Sequence, residues 1–377
     1  LMIRRPPRST LDRSSAASDV YKRQDPQTGK NNYISVQAED ELAAVGMAIG
    51  ANWNGARGFT ATSGPGISLM SEFLGLAYFA EVPLVIFNIQ RGGPSTGMPT
   101  RTQQSDILSC AYASHGDTKH VLLFPEDPQE CFEFSAEAFN LAERLQTPVF
   151  VISDLDIGMN DWVTDKFEWD DEQKYDRGKV LKAEDLDKMD NFGRYLDVDD
   201  DGICYRTYPG THPEKGAFFT RGTSHDEYAR YTENGDINEQ TLTRLVKKFR
   251  TASELVPDPI INLSEKQGSS GVIFYGSTSA AMYEAKDILN ENNIEVDLMR
   301  IRSFPFNLDV WEFIENHDLI YVIEQNRDSQ IRTLIMAEGG ISAEKLRSLV
   351  WFNGDPIQAK FIAKKIYERE SQQALIT

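Results

Sequence analysis

From Tyr33 onward, short apolar runs alternate with amphipathic stretches, and this alternation predicts strands and helices in turn. The run EVPLVIFNIQ at 81–90 is almost continuously apolar, as is typical of a strand that is buried on both faces. Regular alternation of strands with helices is typical of layered domains that are built on a parallel sheet. We therefore predict that the chain has an α/β fold.

The first α/β domain is predicted at 25–160. Its predicted strands lie at 33–37, 58–62, 81–90, 120–125 and 147–154, and its predicted helices lie at 39–52, 67–79, 107–113 and 128–145. Ser63 stands where the N-cap of the second helix is expected. The polar stretch at 91–106 is predicted to be a long loop.

The alternation stops after residue 160 and resumes near residue 266. The segment 161–265 is charged, aromatic and rich in turn residues, so it is predicted to be an extended linker or insertion that packs on the first domain. A second α/β domain is predicted at 266–377. Its predicted strands lie near 271–278, 295–301 and 319–325, its predicted helices lie at 279–292 and 310–315, and an amphipathic stretch follows from residue 356.

The first 24 residues have a different character. They are basic, rich in Ser, Arg and Pro, and without periodicity. They lack the apolar run of about 7–15 residues that a signal peptide needs, and two adjacent prolines disfavour a targeting helix. The segment resembles translated adapter sequence joined to a gene fragment. We therefore expect a non-native, disordered leader at 1–24 and expect native sequence upstream of about Asp25 to be missing.

Composition narrows the function classes. The formal net charge is -19, which disfavours binding to nucleic acid or to an anionic membrane surface. The three cysteines are widely spaced and form no CxxC pair, so the sequence predicts neither a disulfide framework nor a metal or iron–sulfur site in this chain. No apolar run approaches the roughly 20 residues of a membrane span. We expect a cytoplasmic protein.

Three segments at the predicted sheet edge carry candidate chemistry, since ligands of open parallel sheets bind where the strands end. In the first, Gly64, Pro65 and Gly66 predict a tight turn that exposes bare backbone amides at the start of a helix. Such a turn lets a polar cofactor edge or an anion approach closely. An ordinary strand-to-helix turn is the alternative interpretation, and it is favoured for an isolated SGPG.

The second segment is the loop at 91–106. Arg91 follows the buried strand directly, and glycines and several hydroxyl side chains come after it. A guanidinium group with neighbouring hydroxyls suits a carboxylate substrate, because it can donate two parallel hydrogen bonds. A surface arginine in a mobile loop explains the same residues equally well.

The third segment is the pair Glu39 and Glu41 at the start of a predicted helix. Acidic residues at a helix N-terminus are usually explained by the helix dipole. The functional alternative is that one of the two carboxyl groups lies beside a heterocycle and exchanges a proton with it. A separate cluster, His212, His225, Asp226 and Glu227, has metal-compatible side chains, but its spacing favours a hydrogen-bonded linker over a metal site.

Together these segments resemble one family. The stretches ISVQAEDELAAVGMAIGA, TATSGPGISLMSEFLGLAYFAEVPLVI, QRGGPSTGMPTRTQQSD, ASHGD and AFNLAERLQTPVFVISD are similar to the alpha subunit of 2-oxoacid:ferredoxin oxidoreductases, with the 2-oxoglutarate type most similar. The resemblance extends through SHDEYARYTENG in the predicted linker and FYGSTSAA and VIEQN in the second domain. It implies a thiamine-diphosphate-binding domain of the pyrimidine type, followed by a domain like the transketolase C-terminal domain.

The resemblance also implies an activity and its partners. The expected reaction is oxidative decarboxylation of a 2-oxoacid to acyl-coenzyme A and CO2, with electrons passed to ferredoxin. Thiamine diphosphate is expected to be shared with a beta subunit that supplies the diphosphate-binding domain, Mg²⁺ and an iron–sulfur cluster. The family usually begins this domain with a Tyr-Pro-Ile-Thr-Pro-type segment, and many members carry a gamma domain before it; neither is read in the sequence from Asp25 onward, where native sequence is expected to be missing.

Residue roles follow from the same resemblance. Glu41 matches the glutamate that hydrogen-bonds N1′ of the aminopyrimidine, and Glu39 fits the spacing to Gly50 less well. Arg91 matches the arginine that meets the 2-oxoacid carboxylate, and Thr100 matches a hydroxyl of the same loop. The residues expected to line the cofactor site are Glu41, Ser63, Gly64, Pro65 and Gly66.

Two other functions are compatible with the sequence. A self-contained thiamine-dependent decarboxylase or synthase shares the TSGPG turn, but the GDG-type magnesium motif that it needs is absent from this chain. A non-catalytic scaffold subunit would keep the fold without the chemistry. The joint presence of Glu41, Arg91 and Thr100 favours a catalytic subunit over a scaffold.

Overall fold

Two mostly parallel sheets form the frame of the part of the chain that the structure describes. A computed structural model describes residues 27–30, 33–170, 172, 174–265 and 270–374. The chain divides into a first unit, Leu1–Asp40, and a second unit, Glu41–Thr377, which contains both sheets. The predicted leader at 1–24 lies outside the described residues.

The first unit contains one of the wrong predictions. The strand predicted at 33–37 is absent, because the described residues 33–38 form no regular structure. Tyr33, Ile34 and Val36 are exposed. Strand propensity depends on packing against a neighbouring surface, and these apolar side chains have little burial to stabilise a strand.

The first sheet has the strand order β1-β2-β4-β3-β8. Its strands are β1 (Phe59–Thr62), β2 (Leu84–Gln90), β3 (Val121–Leu123), β4 (Pro148–Asp154) and β8 (Ser303–Phe304). The helices that follow its strands or precede them are α1 (Glu41–Trp53), α2 (Gly64–Phe79), α3 (Ile107–Ala111), α4 (Pro128–Leu145) and α5 (Leu155–Met159). All pairings are parallel except that of β3 with β8. Every residue of β4 is buried, as expected for a strand covered on both faces.

The second sheet has the strand order β10-β9-β6-β7-β5. Its strands are β5 (Ile260–Asn262), β6 (Ser270–Tyr275), β7 (Val296–Ile301), β9 (Ile320–Glu324) and β10 (Leu346–Val350). Its helices are α8 (Thr278–Glu291), α9 (Leu308–Glu315), α10 (Gln330–Gly339) and α11 (Ala359–Ala374). Only β5 runs antiparallel to its neighbour among the described strands of this sheet. The α/β class with parallel sheets is thus confirmed.

Local signals explain where several elements begin and end. Helix α4 covers 128–145 as predicted, because the Asp127 side chain caps it by accepting a 2.8 Å hydrogen bond from the Glu130 amide, and Pro128 suits its first turn. Gln146 ends the helix in a left-handed conformation. Helix α2 begins at Gly64, directly after the predicted N-cap residue Ser63, so the SGPG glycines belong to its first turn.

The segment predicted as an extended linker contains two helices, α6 (Ala183–Asp187) and α7 (Gly235–Ala252). The long helix α7 was missed because its sequence is charged. Its buried face includes Leu245 and Ala252 but also Lys248. Because a lysine stands at a buried position, the apolar spacing that predicts an amphipathic helix is interrupted. The prediction that this segment packs on the first domain is confirmed, since Ala252 lies in one apolar cluster with residues of β2 and α4. Helix α10 and strand β10 were also missed.

A buried carboxylate fastens α7 to the first sheet. Glu81 lies just before β2 and is 1% exposed. It accepts hydrogen bonds of 2.5 and 3.1 Å from Arg244 and of 2.8 Å from Lys248. Burial alone would raise the pKa of Glu81, but the positive charges of Arg244 and Lys248 outweigh burial and hold that pKa well below its ordinary value.

None of the helices that the structure describes combines the length and the apolar character that a bilayer crossing requires.

Replacing Glu81 by alanine should lower the free energy of unfolding by about 3–5 kcal/mol, because it leaves two buried cations without their counter-charge. The pKa of Glu81 is depressed in the folded state, so its stabilisation is present above the unfolded value of about 4.3 and is lost as the pH falls below it. Denaturant unfolding should therefore show the largest difference near neutral pH. Glu133→Ala is the control, since Glu133 is an exposed residue of α4. An equal loss in both variants would contradict the role of Glu81.

Candidate functional site

The candidate site lies where β1 and β2 end and α1 and α2 begin. Glu41 is the first residue of α1, and its side chain lies against the first turn of α2. A Cβ atom placed on Gly66 would lie 2.9 Å from Cγ of Glu41 and would overlap the side chain of Thr62. Only glycine fits at position 66, because its missing side chain leaves the space that Glu41 and Thr62 occupy.

The first turn of α2 presents bare backbone at this edge. Ser63 is its N-cap residue, with an extended backbone, and the Ser63 carbonyl accepts hydrogen bonds of 2.8 and 3.2 Å from the amides of Gly66 and Ile67. The Ser63 hydroxyl makes no capping bond. Pro65 lacks an amide hydrogen and fits the first turn, where helix amides have no carbonyl partner. A helix N-terminus of this kind favours a polar or negatively charged group.

Asp106 was not predicted from the sequence as a site residue. It lies against Gly64 at the start of α2. Its Oδ1 would lie 2.8 Å from a Cβ atom on Gly64, and it accepts a hydrogen bond from the Gly64 amide. Asn88, which is fully buried on β2, donates to Asp106 Oδ2 at 3.1 Å. The pattern hid this residue, because an aspartate just before a helix is usually interpreted as an N-cap.

The positive charge of Arg91 acts on the pKa of Asp106. Burial raises the pKa of Asp106, and the hydrogen bond from Asn88 and the positive charge of Arg91 only partly offset this effect. Arg91 is half-buried at the end of β2, and its Nε has no hydrogen-bond partner among the described residues. The Arg91 guanidinium therefore keeps donor capacity for a ligand.

The remaining predicted residues are placed differently. Thr100 is exposed on the loop 91–106 and makes no hydrogen bond within the described part of the chain. Glu39 is exposed and precedes the start of α1 by two residues. The structure therefore places Glu41, and not Glu39, in the first turn of α1.

The two histidines of the cluster named from the sequence have separate partners. The His225 ring stacks on Tyr195 with centroids 3.8 Å apart, and His212 pairs with Asp187 at 3.1 Å. Across the described ranges, no group of three His, Cys, Asp or Glu side chains is arranged to hold a metal ion.

Comparison with known proteins identifies the family. The family model for the thiamine-diphosphate-binding domain of pyruvate flavodoxin/ferredoxin oxidoreductases matches residues 14–251. The chain belongs to this family. The 2-oxoglutarate synthase subunit KorA of Methanothermobacter thermautotrophicus is 35% identical over 304 residues, which cover 78% of this chain and 76% of that relative.

Longer members of the 2-oxoacid:ferredoxin oxidoreductase family are also similar. The alpha subunit of 2-oxoacid:ferredoxin oxidoreductase 1 from Sulfurisphaera tokodaii is 36% identical over 343 residues, which cover 88% of this chain and 52% of that relative. The chain thus spans about half the length of such relatives. A solved 2-oxoglutarate:ferredoxin oxidoreductase from Magnetococcus marinus, with 2-oxoglutarate, coenzyme A and succinyl-CoA bound, has a TM-score of 0.80 and 28% identity, covering 91% of this chain and 58% of that one.

The residues at the candidate site fit the cofactor of this family. Gly64 and Gly66 let the side chains of Asp106 and Glu41 lie directly against the first turn of α2, so two acidic side chains flank the start of that helix. Ring nitrogens need a hydrogen-bonding partner, and Glu41 supplies a carboxylate beside Gly66. The matching family model and the similar relatives confirm the family resemblance predicted from the sequence.

Gly66→Ala should lower the free energy of unfolding by about 1–3 kcal/mol, because the new methyl group overlaps Thr62 and presses on Glu41. Gly50→Ala is the matched control in α1, since a Cβ atom at position 50 meets nothing within 4 Å. That change should stabilise the helix by about 0.5–1 kcal/mol. Denaturant unfolding measures both, and equal stability of the two variants would contradict the close approach at Gly66.

Proposed function

We propose that the chain is the alpha subunit of a 2-oxoacid:ferredoxin oxidoreductase that acts on 2-oxoglutarate. The reaction converts the 2-oxoacid and coenzyme A to acyl-coenzyme A and CO2, and two electrons pass to ferredoxin. The observation that carries the proposal is the Glu41 side chain, whose Cγ atom lies against Gly66 in the first turn of α2, in a chain of this family.

Glu41 is proposed to act on the pyrimidine ring of thiamine diphosphate. Its carboxyl group would donate or accept the proton at N1′ of the bound ring, and the residues Ser63, Gly64, Pro65 and Gly66 would hold the ring at the first turn of α2. The bound cofactor supplies the carbanion chemistry, and this chain contributes position and electrostatics.

Arg91 is proposed to bind the carboxylate that all 2-oxoacids share. Its free donor capacity at the end of β2 supports this role, since guanidinium groups recognise carboxylates through paired hydrogen bonds. Thr100 adds a hydroxyl from the same loop, which is exposed and open to a ligand. Asp106 lies close enough to Arg91 to attract the guanidinium electrostatically, which favours a fixed orientation.

The substrate assignment rests on the relatives. One similar protein is named 2-oxoglutarate synthase, and the solved relative was determined with 2-oxoglutarate and coenzyme A. We propose 2-oxoglutarate for this chain on that basis. The side-chain end of the substrate is proposed to contact the partner subunit, because Arg91 binds only the group that 2-oxoacids have in common.

The chain is proposed to work only as part of a complex. Its relatives are named as alpha subunits, which implies further subunits. A beta subunit is proposed to supply the diphosphate-binding domain, Mg²⁺ and the iron–sulfur cluster that passes electrons to ferredoxin. The purified chain alone should therefore not reduce a viologen dye, whereas the complex with thiamine diphosphate, Mg²⁺ and coenzyme A should do so when a 2-oxoacid is added. Decarboxylation by the chain alone would favour the self-contained enzyme.

Glu41→Gln should slow 2-oxoglutarate-dependent dye reduction by the assembled complex about 10²–10⁴-fold, the range that a general acid–base group contributes. Glutamine keeps the shape of the side chain but cannot exchange the proton. Glu39→Gln is the matched control and should keep the wild-type rate. The role of Glu41 fails if its variant turns over as fast as the Glu39 variant.

Arg91→Ala should raise the KM for 2-oxoglutarate about 10–100-fold, because it removes a charged hydrogen-bond donor worth roughly 1.5–3 kcal/mol. Binding of thiamine diphosphate, measured by titration calorimetry on the complex, should be retained. Arg144→Ala, at an exposed arginine of α4, should leave the KM unchanged. Loss of cofactor binding with an unchanged KM would place Arg91 at the cofactor instead.

A further inference from the structure

The loop 91–106 ends in a buried polar contact with the second sheet. Gln104 is 1% exposed, although it is a polar residue in a loop. The Gln104 backbone amide donates to the Gln325 carbonyl at 2.8 Å, and the Gln104 backbone carbonyl accepts from Asn326 Nδ2 at 2.9 Å. Gln325 and Asn326 directly follow β9, so the loop meets the second sheet where that strand ends.

The Gln104 side chain uses both halves of its amide. Its Nε2 donates to Asp154 Oδ2 at 3.2 Å, at the end of β4 in the first sheet, and to Ser277 Oγ at 3.4 Å, after β6 in the second sheet. Its Oε1 accepts from the Gln325 amide at 3.2 Å and from Thr278 Oγ1 at 3.4 Å. One amide group thus connects the ends of strands from both sheets.

The partners require an amide and not merely a polar side chain. A donor must face Asp154 and an acceptor must face the Gln325 backbone amide, and the carboxamide of a glutamine carries both on one planar group that does not titrate. A shorter side chain would leave these buried groups unpaired, at a cost of about 1–3 kcal/mol each. An apolar residue would suffice if this position only filled space between the sheets.

Residues that follow β9 and β10 also bind the end of the loop at 102–105. The Thr102 amide donates to the Gly354 carbonyl at 3.2 Å. Gln330, the first residue of α10, donates to the Ser105 carbonyl at 2.6 Å and accepts from the Leu108 amide at 3.1 Å. The residues on either side of Gln104 are therefore fixed by loops that follow β9 and β10.

Backbone hydrogen bonds join the end of the loop to its beginning at Gly92. The Gly92 amide donates to the Arg101 carbonyl at 2.9 Å, and the Gly92 carbonyl accepts from the Met98 amide at 2.7 Å. Since Gly92 follows Arg91 directly, these bonds close the loop beside Arg91. A continuous path of hydrogen bonds and short chain segments leads from the second sheet to the proposed substrate arginine.

We propose that Gln104 is a positioning residue through which the second sheet holds Arg91 in the orientation that binds the 2-oxoacid carboxylate. This inference rests on the proposed function of Arg91. Gln104 itself contacts no substrate in this scheme. It acts through the loop, so its loss should affect substrate capture more than the turnover of bound substrate.

The kinetic test uses the full chain assembled with its beta subunit. Gln104→Ala should raise the KM for 2-oxoglutarate about 10–100-fold, while kcat and the KM for coenzyme A change about threefold or less. Gln146→Ala is the matched control, because Gln146 is also a fully buried glutamine and donates to the Cys204 carbonyl at 2.6 Å, away from the loop. A merely structural effect would appear equally in both variants.

A second measurement does not depend on activity. Amide hydrogen exchange of Gly92, Met98 and Arg101 in the assembled complex should be at least about tenfold faster in Gln104→Ala than in wild type or Gln146→Ala. If Gln104→Ala does not fold, Gln330→Ala provides the same comparison, since it removes two hydrogen bonds from the same end of the loop.

The outcomes separate the two proposals. A wild-type complex without 2-oxoacid-dependent dye reduction would contradict the proposed function, whereas faster loop exchange in the variants would still support the anchor. With an active wild-type complex, the positioning role of Gln104 is overturned by an unchanged KM and unchanged exchange. It is also overturned if kcat falls in Gln104→Ala and Gln146→Ala alike while both KM values stay constant.

Discussion

The close approach of Glu41 to Gly66 is the constraint on which the candidate site depends. Parallel strands end at one edge of a sheet, so β1 and β2 deliver their following segments to the same place. The missing side chain at Gly66 then allows the start of α1 to lie against the start of α2. The N-termini of two helices and the Glu41 side chain therefore share a small region at this edge of the sheet.

The protein is strongly acidic overall. Two of its buried carboxyl groups, those of Glu81 and Asp106, have different surroundings, and their pKa values shift in opposite directions. Glu81 is neutralised by Arg244 and Lys248 and fastens α7 to the first sheet. Asp106 accepts hydrogen bonds from Asn88 and from the Gly64 amide and lies in the field of Arg91, but burial outweighs all three and raises its pKa. Glu81 thus stabilises the packing of α7, whereas Asp106 contacts the first turn of α2 at the candidate site.

The frame of the fold could be predicted from the sequence because parallel strands carry continuous apolar runs. Residues 84–90 and 148–154 are examples, since each lies within a predicted strand. Helix α7 was missed because Lys248 is buried by pairing with Glu81, which no local pattern reveals. The strand predicted at 33–37 was wrong because strand propensity needs a packing surface.

The candidate site could be predicted only in part. Glu41, Gly66 and Arg91 could be named as candidates because each stands at the end of a predicted strand or the start of a predicted helix. Asp106 and Gln104 were missed as site residues because their meaning lies in partners distant along the chain. Gln104 contacts Ser277 and Gln325, more than 170 residues later, and only the folded chain brings them together.

We propose that Glu41 binds the pyrimidine ring of thiamine diphosphate at the carboxyl edge of the first sheet. The decisive experiment is a structure of the assembled complex with the cofactor bound. We expect a Glu41 carboxylate oxygen within about 2.6–3.2 Å of N1′, with the ring beside the first turn of α2. A ring bound elsewhere, or an N1′ that meets a different side chain while Glu41 faces solvent, would contradict it.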